Sequence, residues 1–136
     1  MLRRNQKVEL IQKVPLFSSL SKGELAEVAS IADEIDFREG KELIRQGARG
    51  REFFVLLDGA VDVTQDGRRI NQLGPGDFFG EIALVAKTPR SATVEATSPV
   101  SALVIEARSF RALLEHSPQI QLRVLQSLAE RVAQTA

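Results

Sequence analysis

Eight of the nine glycines in this 136-residue chain fall between Gly40 and Gly80 and cut that stretch into short runs rich in Val, Ile, Leu and Phe. Glycine weakens the interior of a helix or strand but suits tight turns, so punctuation this dense leaves room only for short strands. Many short strands joined by turns predict a small barrel or jelly-roll sandwich. Ile35 and Phe37 alternate with charged neighbours, Phe53 to Leu57 reads as a buried strand, and Val61 and Val63 alternate ahead of Asp66-Gly67. Asp-Gly is the signal of a two-residue hairpin turn. Thr93 to Thr97 and Ser101 to Glu106 resume strand composition, with Pro99 marking the break between them.

Helical patterns bracket this β region. Ser21 followed by Glu24 is a capping-box signature, and Leu25, Val28 and Ala29 form one apolar face behind it. Upstream, Arg3 to Val14 predicts a short helix ended by Pro15. Downstream, Ser109 to Glu115 predicts a helix that buries Phe110, Leu113 and Leu114, and Ser117-Pro118 supplies the N-cap and first residue of another. In that last helix Ile120, Val124, Leu128 and Val132 recur at every fourth position, with Leu125 and Ala129 beside them. The fold class expected is mainly β with flanking helices.

Composition narrows the function. With 18 basic and 18 acidic residues the chain lacks the electrostatic footprint usual in nucleic-acid-binding domains, so direct nucleic-acid binding is not expected. No apolar run is long enough to span a bilayer, and the N-terminus has no secretory-signal pattern, which points to a cytoplasmic protein. Cysteine is absent and His116 is the only histidine, so no metal site and no thiol chemistry are expected. The same count argues against a metal-dependent cupin-type enzyme, and no catalytic residues or cofactor are assigned. His116, at the end of a predicted helix, is read as structural or solvent-facing.

The chemistry concentrates in Phe79-Gly80-Glu81-Ile82-Ala83-Leu84 and, five residues later, Arg90-Ser91-Ala92-Thr93-Val94. A glycine ahead of a short helix leaves backbone N–H groups without intrahelical partners, and these attract an anion together with the helix dipole. Arg90 adds a planar, permanently cationic fork that suits phosphate oxygens. Glu81 is out of place beside a bare phosphate, because a carboxylate repels it. It calls for a ligand that also offers a hydroxyl donor, and a ribose 2′-OH close to a phosphodiester meets that demand. Cyclic nucleotides carry both groups on one rigid bicycle.

Phe-Gly-Glu-x-Ala-Leu joined to Pro-Arg-Ser-Ala-Thr-Val at this spacing closely resembles the phosphate-binding cassette of the cyclic nucleotide-binding domain family. The resemblance extends from Pro15-Leu16-Phe17 to the last helix. It implies a double-stranded β-helix (jelly-roll) barrel with an N-terminal helical segment and C-terminal hinge and lid helices. On that basis residues 1–136 are expected to form a single domain: N-terminal helices over 1–32, a β-roll over 33–106 with the cassette at 79–94, and C-terminal helices over 107–136. The resemblance assigns Glu81 and the Gly80 N–H to the ribose, and Arg90, Ser91 and the Ala83 N–H to the phosphate. Ala92 completes the cassette. Val63 and Leu73 are placed along the purine and sugar pocket, with Ile82 behind the cassette. In a bacterial channel-type branch of the family an arginine at the place of Arg131 folds over the base, so the resemblance offers Arg131 as a lid; the alternative is that Arg123 and Arg131 occupy the solvated face of the helix and favour its negative end.

The function implied is a non-catalytic sensor that binds cAMP or cGMP and relays capture through its C-terminal helices. Similarity to bacterial cAMP sensors leans toward cAMP, whereas Ser91 is compatible with either ligand. The alternatives are a fragment of a larger regulator or channel, or a degenerate domain that binds nothing. A catabolite-activator-type transcription factor would need a helix-turn-helix module after the long helix, and this chain stops at Ala136. A monomer is favoured, with pairing through the Ile120, Val124, Leu128 and Val132 stripe as the alternative. The protein partner that receives the signal is left unassigned.

Overall fold

The computed structural model describes residues 4–135, apart from the side chains of Arg4, Asn5, Arg131, Val132, Gln134 and Thr135. Helix α1 (Arg4–Lys13), a 3-10 turn (Pro15–Phe17) and α2 (Lys22–Ile31) precede the strands. These are β1 (Ala32–Phe37), β2 (Glu42–Ile44), β3 (Glu52–Asp58), β4 (Val61–Gln65), β5 (Arg68–Leu73), β6 (Phe78–Phe79), β7 (Thr93–Ala96) and β8 (Val100–Glu106). A short helix, α3 (Glu81–Ala86), lies between β6 and β7, and α4 (Ala107–His116) and α5 (Pro118–Thr135) follow β8. The strands form two four-stranded antiparallel sheets, ordered β1-β8-β3-β6 and β2-β7-β4-β5, in the jelly roll anticipated from the glycine spacing.

Alternation along β3 and β8 builds two cores from one sheet. Phe54, Leu56, Ala102 and Val104 point into the roll, where they meet Ile44, Val61, Phe79 and Val94. Phe53, Val55, Leu103 and Ile105 point the other way, into a layer made by α1, α2, α4 and α5. Phe53 stacks on Phe110 of α4 with ring centroids 4.2 Å apart. A strand covered on both faces reads as a continuous apolar run, which is why Phe53 to Leu57 stood out.

The helix ends follow their signals. Ser21 Oγ accepts the Glu24 N–H, and the Glu24 carboxylate accepts the Ser21 N–H in return. At α5, Ser117 Oγ accepts the Ile120 N–H at 3.4 Å and donates to Glu24 Oε2 at 3.3 Å, so one carboxylate ties the N-terminal helices to the start of the last helix. In the β4–β5 hairpin, Asp66 and Gly67 have φ of 53° and 78°, the two positive angles of the tight turn.

Two expectations shift. Helix α4 begins at Ala107 instead of Ser109, because the Ala107 N–H is anchored to Arg51 O across the chain and Glu106 caps without a side-chain bond. Leu125 does not join the buried stripe and is 61% exposed, since Ile120 and Val124 already occupy the inward line of α5. Of the other two members of that stripe, Leu128 is half-buried and Val132 has its side chain outside the described residues.

Candidate functional site

The turn into α3 depends on Gly80. Its φ of 97° is left-handed, and a Cβ there would stand 2.9 Å from Glu52 O and 3.0 Å from Arg90 Nη1. The N–H groups of Glu81, Ile82 and Ala83, in the first turn, have no acceptor within the helix. Glu81 itself has no solvent-accessible surface.

Arg90 is 7% exposed and braces the segment. Its Nη1 donates to Gly80 O at 2.7 Å and its Nη2 to Glu52 O at 2.5 Å. Its own backbone is clamped as well, with the N–H donating to Ala48 O and the carbonyl accepting from Gly47 N–H, each at 2.8 Å. The loop before β3 passes so close that a Cβ on Gly50 would lie 2.8 Å from the Ala83 Cβ and 3.4 Å from Arg90 Cζ. Burial pulls the Arg90 pKa down, while Glu52 and Glu81 oppose that shift. Arginine holds its proton so tightly that the group stays cationic. Of its five N–H donors, the two bonds to carbonyls leave three for other acceptors.

A cavity of about 520 Å³ opens beside this brace. The cassette side contributes Gly80, Ile82, Ala83, Arg90, Ser91 and Ala92, and the facing sheet contributes Val63 and Leu73. Eight of the ten residues singled out from the sequence therefore share one cavity. Glu81 lies behind the lining instead of in it, and the side chain of Arg131 is outside the described residues. The remaining lining was not anticipated. Ile44, Phe79 and Val94 look like ordinary core residues in sequence, and Leu128 belonged to the apolar stripe of α5. Ile70 and Asn71 both line the cavity although they are consecutive, because the β4–β5 register shifts between Val63 and Thr64. A bulge re-aims side chains in this way. The amide of Gln65 also reaches the cavity and donates to Ser91 O at 3.1 Å, joining the hairpin to the cassette.

A second depression of about 360 Å³ lies between the 3-10 turn, the β5–β6 connection and α5; it shares Asn71 and Leu73 with the first and contains no cassette residue. Among the described residues no group of three His, Cys, Asp or Glu is placed to hold a metal ion, and no helix is long and apolar enough to cross a membrane.

Comparison with known proteins bears on this geometry. A cGMP-dependent protein kinase of Drosophila melanogaster (isozyme 2 forms cD5/T2) is 34% identical over 131 residues, which cover 90% of this chain and 14% of the kinase. This chain thus spans about one-seventh of that relative's length. Among solved structures, PKAR CBD2 bound to Sp-2Cl-cAMPS superposes with a TM-score of 0.83 at 26% identity, covering 97% of this chain and 90% of that one. The catabolite activator protein of Thermus thermophilus gives a TM-score of 0.78 at 28% identity, covering 89% and 59%. The profile described as "Cyclic nucleotide-binding domain" matches residues 34–117, well over half of the chain and all of the cassette. The chain belongs to the cyclic nucleotide-binding domain family.

Proposed function

We propose that this chain is a non-catalytic sensor that captures a cyclic nucleotide, cAMP or cGMP, and relays capture through α5. The observation that carries this reading is the convergence of the cassette residues and Val63 and Leu73 on one cavity that Leu128 of α5 also lines. The cavity is of a size usual for small-molecule sites. Two relatives point to the same ligand class: PKAR CBD2 is bound to Sp-2Cl-cAMPS, and the Drosophila kinase is cGMP-dependent by name.

In this reading the first-turn N–H groups of α3, Ser91 and the uncommitted N–H donors of Arg90 hold the cyclic phosphate. Glu81 accepts the ribose 2′-OH, which requires its first turn to move, because the carboxylate is fully buried here. A movement of α3 and a movement of α5 then share one cavity wall, so ligand shifts α5 to the extent that it binds the closed arrangement more tightly. Residues 1–136 act as one unit, cytoplasmic and monomeric, either alone or as the sensing part of a larger regulator or channel. Arg131 is assigned to cover the base.

Isothermal titration of the folded protein, cleared of carried-over nucleotide, with cAMP and cGMP tests this. Micromolar or tighter binding is expected, weakened at least tenfold (about 1.4 kcal/mol) by Arg90→Ala. Because Arg90 also braces the backbone, Ser91→Ala provides a milder variant with a smaller loss. Absence of heat with both nucleotides would sink the proposal.

A further inference from the structure

Basic residues gather around one end of α3, although the chain as a whole carries as many acidic residues as basic ones. Three contacts bring them together. Arg49 forms an isolated antiparallel bridge with Pro89, two residues after Lys87. Arg51 O accepts the Ala107 N–H, so Arg51 lies beside the start of α4, where Arg108 follows. One turn on, Arg111 Nε donates to Leu84 O at 3.3 Å, which returns the path to the end of α3 that Lys87 caps. Arg49, Arg51, Arg108 and Lys87 are exposed and Arg111 is half-buried.

Among the described residues, ion pairs join Arg45 to Glu42 and Arg69 to Asp62, and none of the five cations around α3 is paired with a carboxylate. Three carboxylates belong to the same region: Glu52, whose charge acts on Arg90, and the exposed Glu106 and Glu115. Much of the balancing acid lies elsewhere, at Asp33, Glu34, Asp36, Glu39 and Glu42 along β1 and into β2. Lys87 has a φ of 56°, left-handed backbone that glycine usually occupies at a helix end, so a charged side chain is kept there at a conformational cost. The carbonyl end of α3 favours a nearby cation in any case. That accounts for Lys87 and Arg111, and it leaves Arg49, Arg51 and Arg108 without a partner.

We propose that this face docks an acidic polypeptide segment of a partner protein. Four of the five cations are arginines, whose planar fork meets a carboxylate through two parallel hydrogen bonds. Glu106 and Glu115 among them repel a dense polyanion such as nucleic acid or an anionic membrane, and they are compatible with a segment whose carboxylates are spaced along the chain. Docking there is independent of nucleotide capture, because none of the five lines the 520 Å³ cavity.

The test is fluorescence anisotropy of a labelled peptide of alternating glutamate and serine, titrated with the full chain. Phosphatidylserine-containing vesicles and a single-stranded oligothymidylate serve as comparators. Saturable binding of the peptide is expected, weakening as salt is added. The double variant Arg51→Glu/Arg108→Glu is expected to bind at least about fivefold more weakly, whereas Lys22→Glu/Lys41→Glu, which reverses two exposed lysines elsewhere, stays within about twofold of the intact chain. Lys87→Gly removes a cation while relaxing the left-handed backbone, so it is expected to keep its thermal stability and to bind about threefold more weakly. The proposal is overturned if the acidic peptide does not bind, or if both double variants weaken it equally. Full affinity in both Arg51→Glu/Arg108→Glu and Lys87→Gly overturns it as well, as does tighter binding of the vesicles or the oligothymidylate than of the peptide.

Discussion

The two sheets of the roll are built from similar residues and put to different ends. In the sheet ordered β1-β8-β3-β6, the central strands bury side chains on both faces, one against the roll interior and one against the helical layer. In the sheet ordered β2-β7-β4-β5, Val63 and Leu73 are only half-buried, because the face they share opens onto the 520 Å³ cavity. The first sheet fills its space and holds the fold together. The second leaves space unfilled, and a ligand site requires such incomplete packing. Apolar content alone does not distinguish the two roles, since what differs is that the inward face of the second sheet, with Val63, Leu73 and Val94, opens onto the cavity, whereas β3 and β8 are covered on both faces.

Substitutions across the two sheets probe that contrast. Phe53→Ala, on the doubly covered strand, removes a ring stacked on Phe110 and is expected to destabilise by about 3–5 kcal/mol, read as a lowered midpoint in urea. Gly80→Ala places a Cβ against Glu52 O and Arg90 in a left-handed backbone. A loss of about 1–3 kcal/mol, together with weakened nucleotide binding, is expected from parallel unfolding and titration. Ser117→Ala deletes the cap of α5 and its bond to Glu24, for about 1 kcal/mol in thermal unfolding. Val63→Ala, on the cavity wall, should cost about 1 kcal/mol or less in stability while changing nucleotide affinity more than Ser117→Ala does. A stability loss at Val63 equal to that at Phe53 would erase the distinction between the sheets.

The smallest effect concerns acid. The Glu24 carboxylate is held below the ordinary value of 4.5, first by the Ser21 N–H, then by the Ser21 hydroxyl, with Ser117 contributing less. A lowered carboxylate pKa stabilises the fold fully above the unfolded-chain value and loses that contribution as pH falls through the folded one. Stability measured downward from about pH 5 should decline, and Glu24→Gln should flatten part of that decline.

Much of this was legible because it depends on residues close together in the chain. The capping box at Ser21 and Glu24, the Asp66-Gly67 turn and the Ser117-Pro118 helix start each involve neighbouring residues with one favoured geometry. The cassette was legible for a similar reason, since Phe79 to Val94 is one short segment. Leu128, Ile70 and Asn71 were not. Leu128 looks like another member of a buried stripe, and the bulge that turns Ile70 and Asn71 to one side exists only once β5 pairs with β4. The start of α4 at Ala107 likewise depends on Arg51, which is remote in sequence.

By itself, the sequence determined strand and helix content, the sites of the tight turns and the presence of a segment with the cassette pattern of the family, because backbone conformation and capping are local physics. Only the tertiary structure decided what those groups face. Arg90 is equally cationic in any setting, but its engagement with Gly80 O and Glu52 O depends on the start of β3 lying beside the cassette. Glu81 carries its carboxyl group in any setting, but its withdrawal behind the cavity lining depends on how α3 is seated. A side chain carries its chemistry with it, whereas its partners are set by segments distant in the chain that folding brings together.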